Sequence, residues 1–152
     1  MAKNCEVINT IFEDDTWERN EVATTQQRTI LLNKLVQITQ RERNPYFKRK
    51  YAFLTIRLAY YAGKMDVIKN VFESNFNAGK KDYVYNWSLF FYTFTKTGAN
   101  SMINAANLMA NCPEKTYASY YYFHQNFKIE EALQQAKNKT EIANVYAYAS
   151  IQ

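Results

Sequence analysis

Apolar positions along the chain recur with a helical period almost throughout. Over residues 30–40, Leu31, Leu35 and Ile38 fall at i, i+4, i+7, with Leu32 and Val36 on the adjoining row. Asn44-Pro45 then interrupts, with Pro45 suited to the first position of a new helix. In that helix, 45–62, Phe47, Tyr51, Leu54, Leu58 and Tyr61 fall at spacings of 4, 3, 4, 3, which predicts an apolar core stripe ending at Gly63. A partner helix over 65–76 carries Val67, Ile68, Val71, Phe72 and Phe76, and residues 77–81 read as a loop. Asp82 is placed to cap a third long helix bearing Val84, Trp87, Phe91 and Phe94, with Gly98 as its stop. Met102, Ala105, Ala106 and Met109 mark its partner, which ends at Cys112-Pro113. Shorter segments over 116–125 and 129–136 follow. Thr140 then reads as the cap of a last helix with Ile142, Val145, Tyr146 and Ala149 on one face.

The expected fold is therefore all-α: one domain over 1–152 of about seven helices, stacked as antiparallel hairpins over roughly 45–76, 82–111 and 116–136. A closed helical bundle is the alternative arrangement. The two full hairpins repeat, since Gly63 and Gly98 are 35 residues apart while Leu58-x-x-Tyr61 and Phe91-x-x-Phe94 are 33 apart. That period is the one two-helix repeats use. A stack of this kind is expected to be elongated, with a radius of gyration above the ~15 Å of a compact chain this long.

The run from Arg57 to Phe72, with Gly63 at the turn, resembles the joint of a tetratricopeptide-like hairpin. The run from Glu131 to Tyr146 is similar to hairpin joints in large, exported bacterial repeat proteins of unknown function. The resemblance covers about residues 45–152 as pattern. Ile68 and Ile103 stand where the family's second helix carries alanine, and its usual Trp/Leu/Gly/Tyr set is absent from the first helix. The resemblance implies a right-handed solenoid and a role in protein interaction. It also implies that 140–152 opens a further repeat of a longer parent chain. Tyr148 or Ile151 would then be exposed, or covered by another molecule. The compartment stays undetermined at this point: cytoplasmic for a complete chain, cell envelope for a piece of an exported one.

Composition narrows the function classes. Three glycines and two prolines in 152 residues exclude collagen-like and Pro-rich disordered chains. Two cysteines exclude a disulfide scaffold and a four-cysteine zinc site. No apolar run approaches the roughly 20 residues of a membrane span. Aromatics are enriched at 16%, with 13 Tyr and 10 Phe, which suits long helix seams or an adhesive surface.

The formal charge of +5 is concentrated in one place. Residues 1–21 balance to −4, residues 41–57 to +5, and the chain beyond residue 81 to zero. The basic stretch 41–57 would attract phosphates or acidic partners, making nucleic-acid or other polyanion binding an alternative function. It falls short of the long basic stripe of a nucleic-acid binder, so nucleic acid is the less expected partner.

Catalytic chemistry finds little support. His124, the one histidine, sits in an aromatic run with no nucleophile signature near it. Cys5 and Cys112 read as plain thiols. Gly79-Lys80-Lys81 lacks the leading glycine and the hydroxyl of a phosphate loop. Glu13, Asp14, Asp15 and Glu18 lack the pattern of a calcium loop. The sequons at Asn86 and Asn138 fall in or at helices and read as chance. No enzyme, cofactor or metal is expected.

One surface stands out. Tyr46, Lys50, Phe53, Arg57 and Tyr60 also follow 4, 3, 4, 3, one residue or about 100° around the helix from the apolar stripe. Aromatic faces alternating with cations can hold a carboxylate, a phosphate or an aromatic side chain. These five are the expected binding residues, for a protein or peptide partner.

Overall fold

The computed structural model describes residues 21–151, in which every regular element is helical. Eight α-helices are present among them: α1 Glu21–Arg41, α2 Pro45–Tyr61, α3 Met65–Phe76, α4 Tyr83–Thr93, α5 Gly98–Asn111, α6 Pro113–Phe123, α7 Ile129–Gln135 and α8 Lys139–Ala149, with a 3-10 turn over His124–Asn126. The chain divides into two compact units, Met1–Gly79 and Lys80–Gln152. The acidic segment and Cys5 lie outside the described residues.

Local chemistry explains several helix ends. Asn44 accepts hydrogen bonds from the Tyr46 and Phe47 amides ahead of Pro45, and Asp82 accepts one from the Tyr85 amide at 3.0 Å. Such caps each hold about 1 kcal/mol. At the end of α2 the Lys64 amide donates to the Ala59 carbonyl and the Gly63 amide to the Tyr60 carbonyl, with Gly63 at φ 67°. This is a Schellman stop, and it wants a residue free to adopt the left-handed region. A Cβ at Gly63 would meet nothing within 4 Å, so only the backbone term opposes a side chain there. Gly63→Ala is expected to cost about 1–2 kcal/mol, read as a lower urea midpoint at unchanged slope.

Several ends depart from expectation. The segment expected over 116–125 is α6, which begins at Pro113 and closes at Phe123. Gly98 does not stop α4, which closes at Thr93; it opens α5, at φ 58°. The last helix is capped by Asn138, whose side chain accepts from the Glu141 amide, and Thr140 lies inside it. Asn has the same acceptor geometry two residues earlier, so the helix takes the first cap on offer.

In the first unit α2 lies between α1 and α3 and packs on both. Arg28, Leu32, Leu35 and Thr39 form the buried row of α1, and the Arg28 guanidinium donates to the Tyr61 carbonyl at 3.1 Å. A cation thus meets the negative end of α2. Thr39 and Thr55 pair their hydroxyls at 3.0 Å between α1 and α2, and the Thr55 hydroxyl also lies 2.8 Å from the Tyr51 carbonyl, so both groups are satisfied in the core.

The core stripe expected on α2 is displaced. Its buried residues are Ala52, Thr55, Ile56, Leu58 and Ala59, whereas Phe47 is half exposed and Tyr51, Leu54 and Tyr61 are only partly covered. The buried face is turned about 100°, one residue, from the expected row. Small residues win because a helix held between two others must let their backbones approach.

In the second unit α5 is central and packs on α4, α6, α7 and α8. Its Met102, Ala105 and Ala106 are buried as expected, and join Ile103, Ala132, Val145 and Tyr148 in one core cluster. On α8 the expected row is again displaced. Val145 is buried, but Tyr146 is exposed and Tyr148 is fully buried. Of the two residues of which one was expected to be exposed, Tyr148 is buried and Ile151 is exposed. The Tyr148 ring lies 4.7 Å from that of Phe127 and 6.2 Å from that of Tyr120, and its hydroxyl donates to the Ser119 carbonyl at 3.2 Å. That polar partner allows a tyrosine to occupy the core.

Candidate functional site

The outer face of α2 carries the five residues singled out in the sequence. The helix has no acidic residue, so nothing within it neutralises the cations. Pro45 and Asn44 set its start and Gly63 its end, giving an uninterrupted stretch on which positions 46, 50, 53, 57 and 60 share one side. Of the buried residues, Ala52, Thr55 and Ala59 lie on the opposite side and Ile56 and Leu58 on the flanks, so the row is exposed at Tyr46 and Lys50 and partly covered beyond them.

Tyr46 is 61% exposed, and the Lys50 ammonium lies 5.1 Å from the centroid of its ring. Tyr46 also stands edge-on to Phe47 at 5.3 Å, and Tyr60 edge-on to Tyr61 at 5.5 Å. Phe53, Arg57 and Tyr60 are half-buried. Neither Lys50 nor Arg57 forms an ion pair with any described residue. The face thus presents two cations and three rings in alternation over four turns. It can accept an anionic group beside an apolar one, without the geometry of a nucleophile or a base.

The other sequence candidates have structural roles. The His124 Nδ1 lies 2.7 Å from the Tyr120 carbonyl, and its ring stacks on that of Tyr120 at 4.5 Å. Cys112 is buried with its sulfur 3.5 Å from a Glu114 oxygen, and burial first, then Glu114, pushes its thiol pKa up. A raised pKa leaves less thiolate, the reactive form. Asn86 donates to the Asn111 carbonyl at 3.1 Å, and Asn138 caps α8. Among the described residues no group of three His, Cys, Asp or Glu side chains could hold a metal, and no helix is long and apolar enough to cross a membrane. Glu13, Asp14, Asp15 and Glu18 lie outside the described residues.

Two features escaped the sequence reading. The Lys115 ammonium sits 3.9 Å from the Trp87 ring centroid and 4.6 Å from that of Phe90, which ties the start of α6 to α4. Tyr117 and Tyr121, one turn apart on α6, are stacked and largely exposed. The second is visible in hindsight as i, i+4 spacing; the first has no sequence signal, because it joins two helices. Comparison with protein-family models, with curated proteins and with solved structures returns no match.

Proposed function

We propose that the chain is a non-catalytic helical scaffold for protein or peptide interaction, built on tetratricopeptide-like hairpins and working with a partner protein or with further repeats of a longer chain. The observation that carries this reading is the outer face of α2. Aromatic and cationic side chains alternate there on the side opposite the packed one, with Lys50 set against the exposed Tyr46 ring. Tyrosine and arginine are the residue types that dominate binding energy at protein interfaces. Two helical hairpins with compatible spacing, α2–α3 and α4–α5, support the repeat design.

The test is selection of a random twelve-residue peptide library on the full chain, with a Lys50→Glu/Arg57→Glu variant as counter-screen. Selected peptides are expected to lose about tenfold or more in affinity for the variant, at unchanged helicity by circular dichroism. Peptides binding both forms equally would overturn the assignment of this face. A 20-nucleotide polyuridine added to the same two proteins separates the polyanion reading. Salt-steep binding lost in the variant would replace a peptide partner by a nucleic acid.

A further inference from the structure

The first unit contains a second feature that the α2 face does not use. Helices α1 and α3 both pack on α2 and leave a groove between them of about 360 Å³, within the range of ligand-sized sites. Val36 from α1 and Val67 and Val71 from α3 supply its apolar strip. Asn70 and Asn75 line it with side-chain amides. Asn75 gives one N–H to the Val71 carbonyl and keeps its oxygen available.

From α2 the groove receives Lys48, the one charged residue that lines it. Lys48 is half-buried, and its ammonium makes no ion pair or hydrogen bond with any described residue. A cation held among valines and amides without a counter-charge among the described residues is a place where a ligand's anion gains most.

The charges around the groove are mixed. The last turns of α1 and α3 border it, and each helix end contributes roughly half a negative charge. Arg41, Glu42 and Arg43 stand at the end of α1 and Glu73 in the last turn of α3. Within the lining itself the charge is that of Lys48.

We propose that this groove holds a peptide segment with an acidic side chain next to an aliphatic one. The carboxylate meets Lys48, the aliphatic group lies on Val36, Val67 and Val71, and the peptide backbone bonds to Asn70 and Asn75. The proposal rests on the reading of the chain as a peptide-binding scaffold, but it places the acidic partner on a different surface from the outer face of α2.

The experiment is a titration of the ¹⁵N-labelled full chain with acetyl-leucyl-glutamyl-leucinamide, followed by amide shifts, alongside the glutaminyl counterpart of the peptide. Shift changes are expected at Val36, Lys48, Asn70 and Val71, with the glutaminyl peptide binding about fivefold more weakly. In a Lys48→Gln variant the two peptides are expected to bind alike. Equal binding of both peptides to the native chain would overturn the proposal, as would no shift up to about 10 mM peptide. Shifts confined to Tyr46, Lys50 and Arg57 would also overturn it, while supporting the α2 face. Loss of the groove with library peptides still selecting the α2 face leaves the scaffold reading standing alone.

Discussion

Truncating Tyr148 to alanine is expected to cost the second unit about 3–5 kcal/mol, enough to unfold a marginal domain. The side chain is wholly buried among Phe127, Tyr120 and the α5 core, so alanine leaves a cavity there. Tyr148→Phe keeps the ring and loses only the hydrogen bond to the Ser119 carbonyl, at about 0.5–1.5 kcal/mol. Ile151→Glu, on an exposed side chain, is expected to stay within about 0.5 kcal/mol. Urea midpoints of the three variants separate these outcomes. A Tyr148→Ala variant as stable as Ile151→Glu would place Tyr148 outside the core.

The same residue makes stability fall at high pH. Burial first, then the neighbouring Tyr120, pushes the Tyr148 pKa up from 10.0 to about 12. Between those values the unfolded chain has released the phenolic proton while the folded chain still holds it. The unfolded state then binds fewer protons, so stability declines with rising pH, by about 1.4 kcal/mol per unit. The full contribution is present below pH 10, and on the order of 2–3 kcal/mol is gone by pH 12. Other groups titrate in this range, so the informative quantity is the difference from Tyr148→Phe, whose decline is expected to be shallower by that amount.

Tyr148 also shows what the sequence could convey. Element type and most boundaries were legible, because helical periodicity, the caps at Asn44 and Asp82, and the left-handed stop at Gly63 are local properties of the chain. The rows on α5 were legible too, since alanines and methionines there face neighbours on several sides. Rotation was the failure, on α2 and α8 alike, each by about one residue. Both helices carry apolar or aromatic side chains on two adjoining rows, and a tyrosine suits either a wet surface or a core with a carbonyl to receive its hydroxyl. Which row wins depends on Ser119 for Tyr148 and on Thr39 for Thr55, partners 29 and 16 residues away. The five residues of the α2 face were legible as a pattern. The α1–α3 groove was not, because its valines and amides come from two helices that α2 separates along the chain.

The rotation of α2 bears directly on the candidate site. If Ala52, Thr55, Ile56 and Ala59 form the true contact row, Ile56→Ala is expected to cost about 2–5 kcal/mol, since Ile56 is fully buried. Phe47→Ala, on a ring half open to solvent, is expected to cost under about 1 kcal/mol despite removing more apolar atoms. Chemical denaturation of the two variants checks the order. The reverse order would mean that α2 is turned one residue the other way, with Phe47, Leu54 and Tyr61 inside. Tyr46, Lys50, Phe53, Arg57 and Tyr60 would then lie beside the packed row instead of opposite it, and half of that face would be closed to a partner. The stability of two variants that touch no ligand thus decides which row of α2 is the packed one.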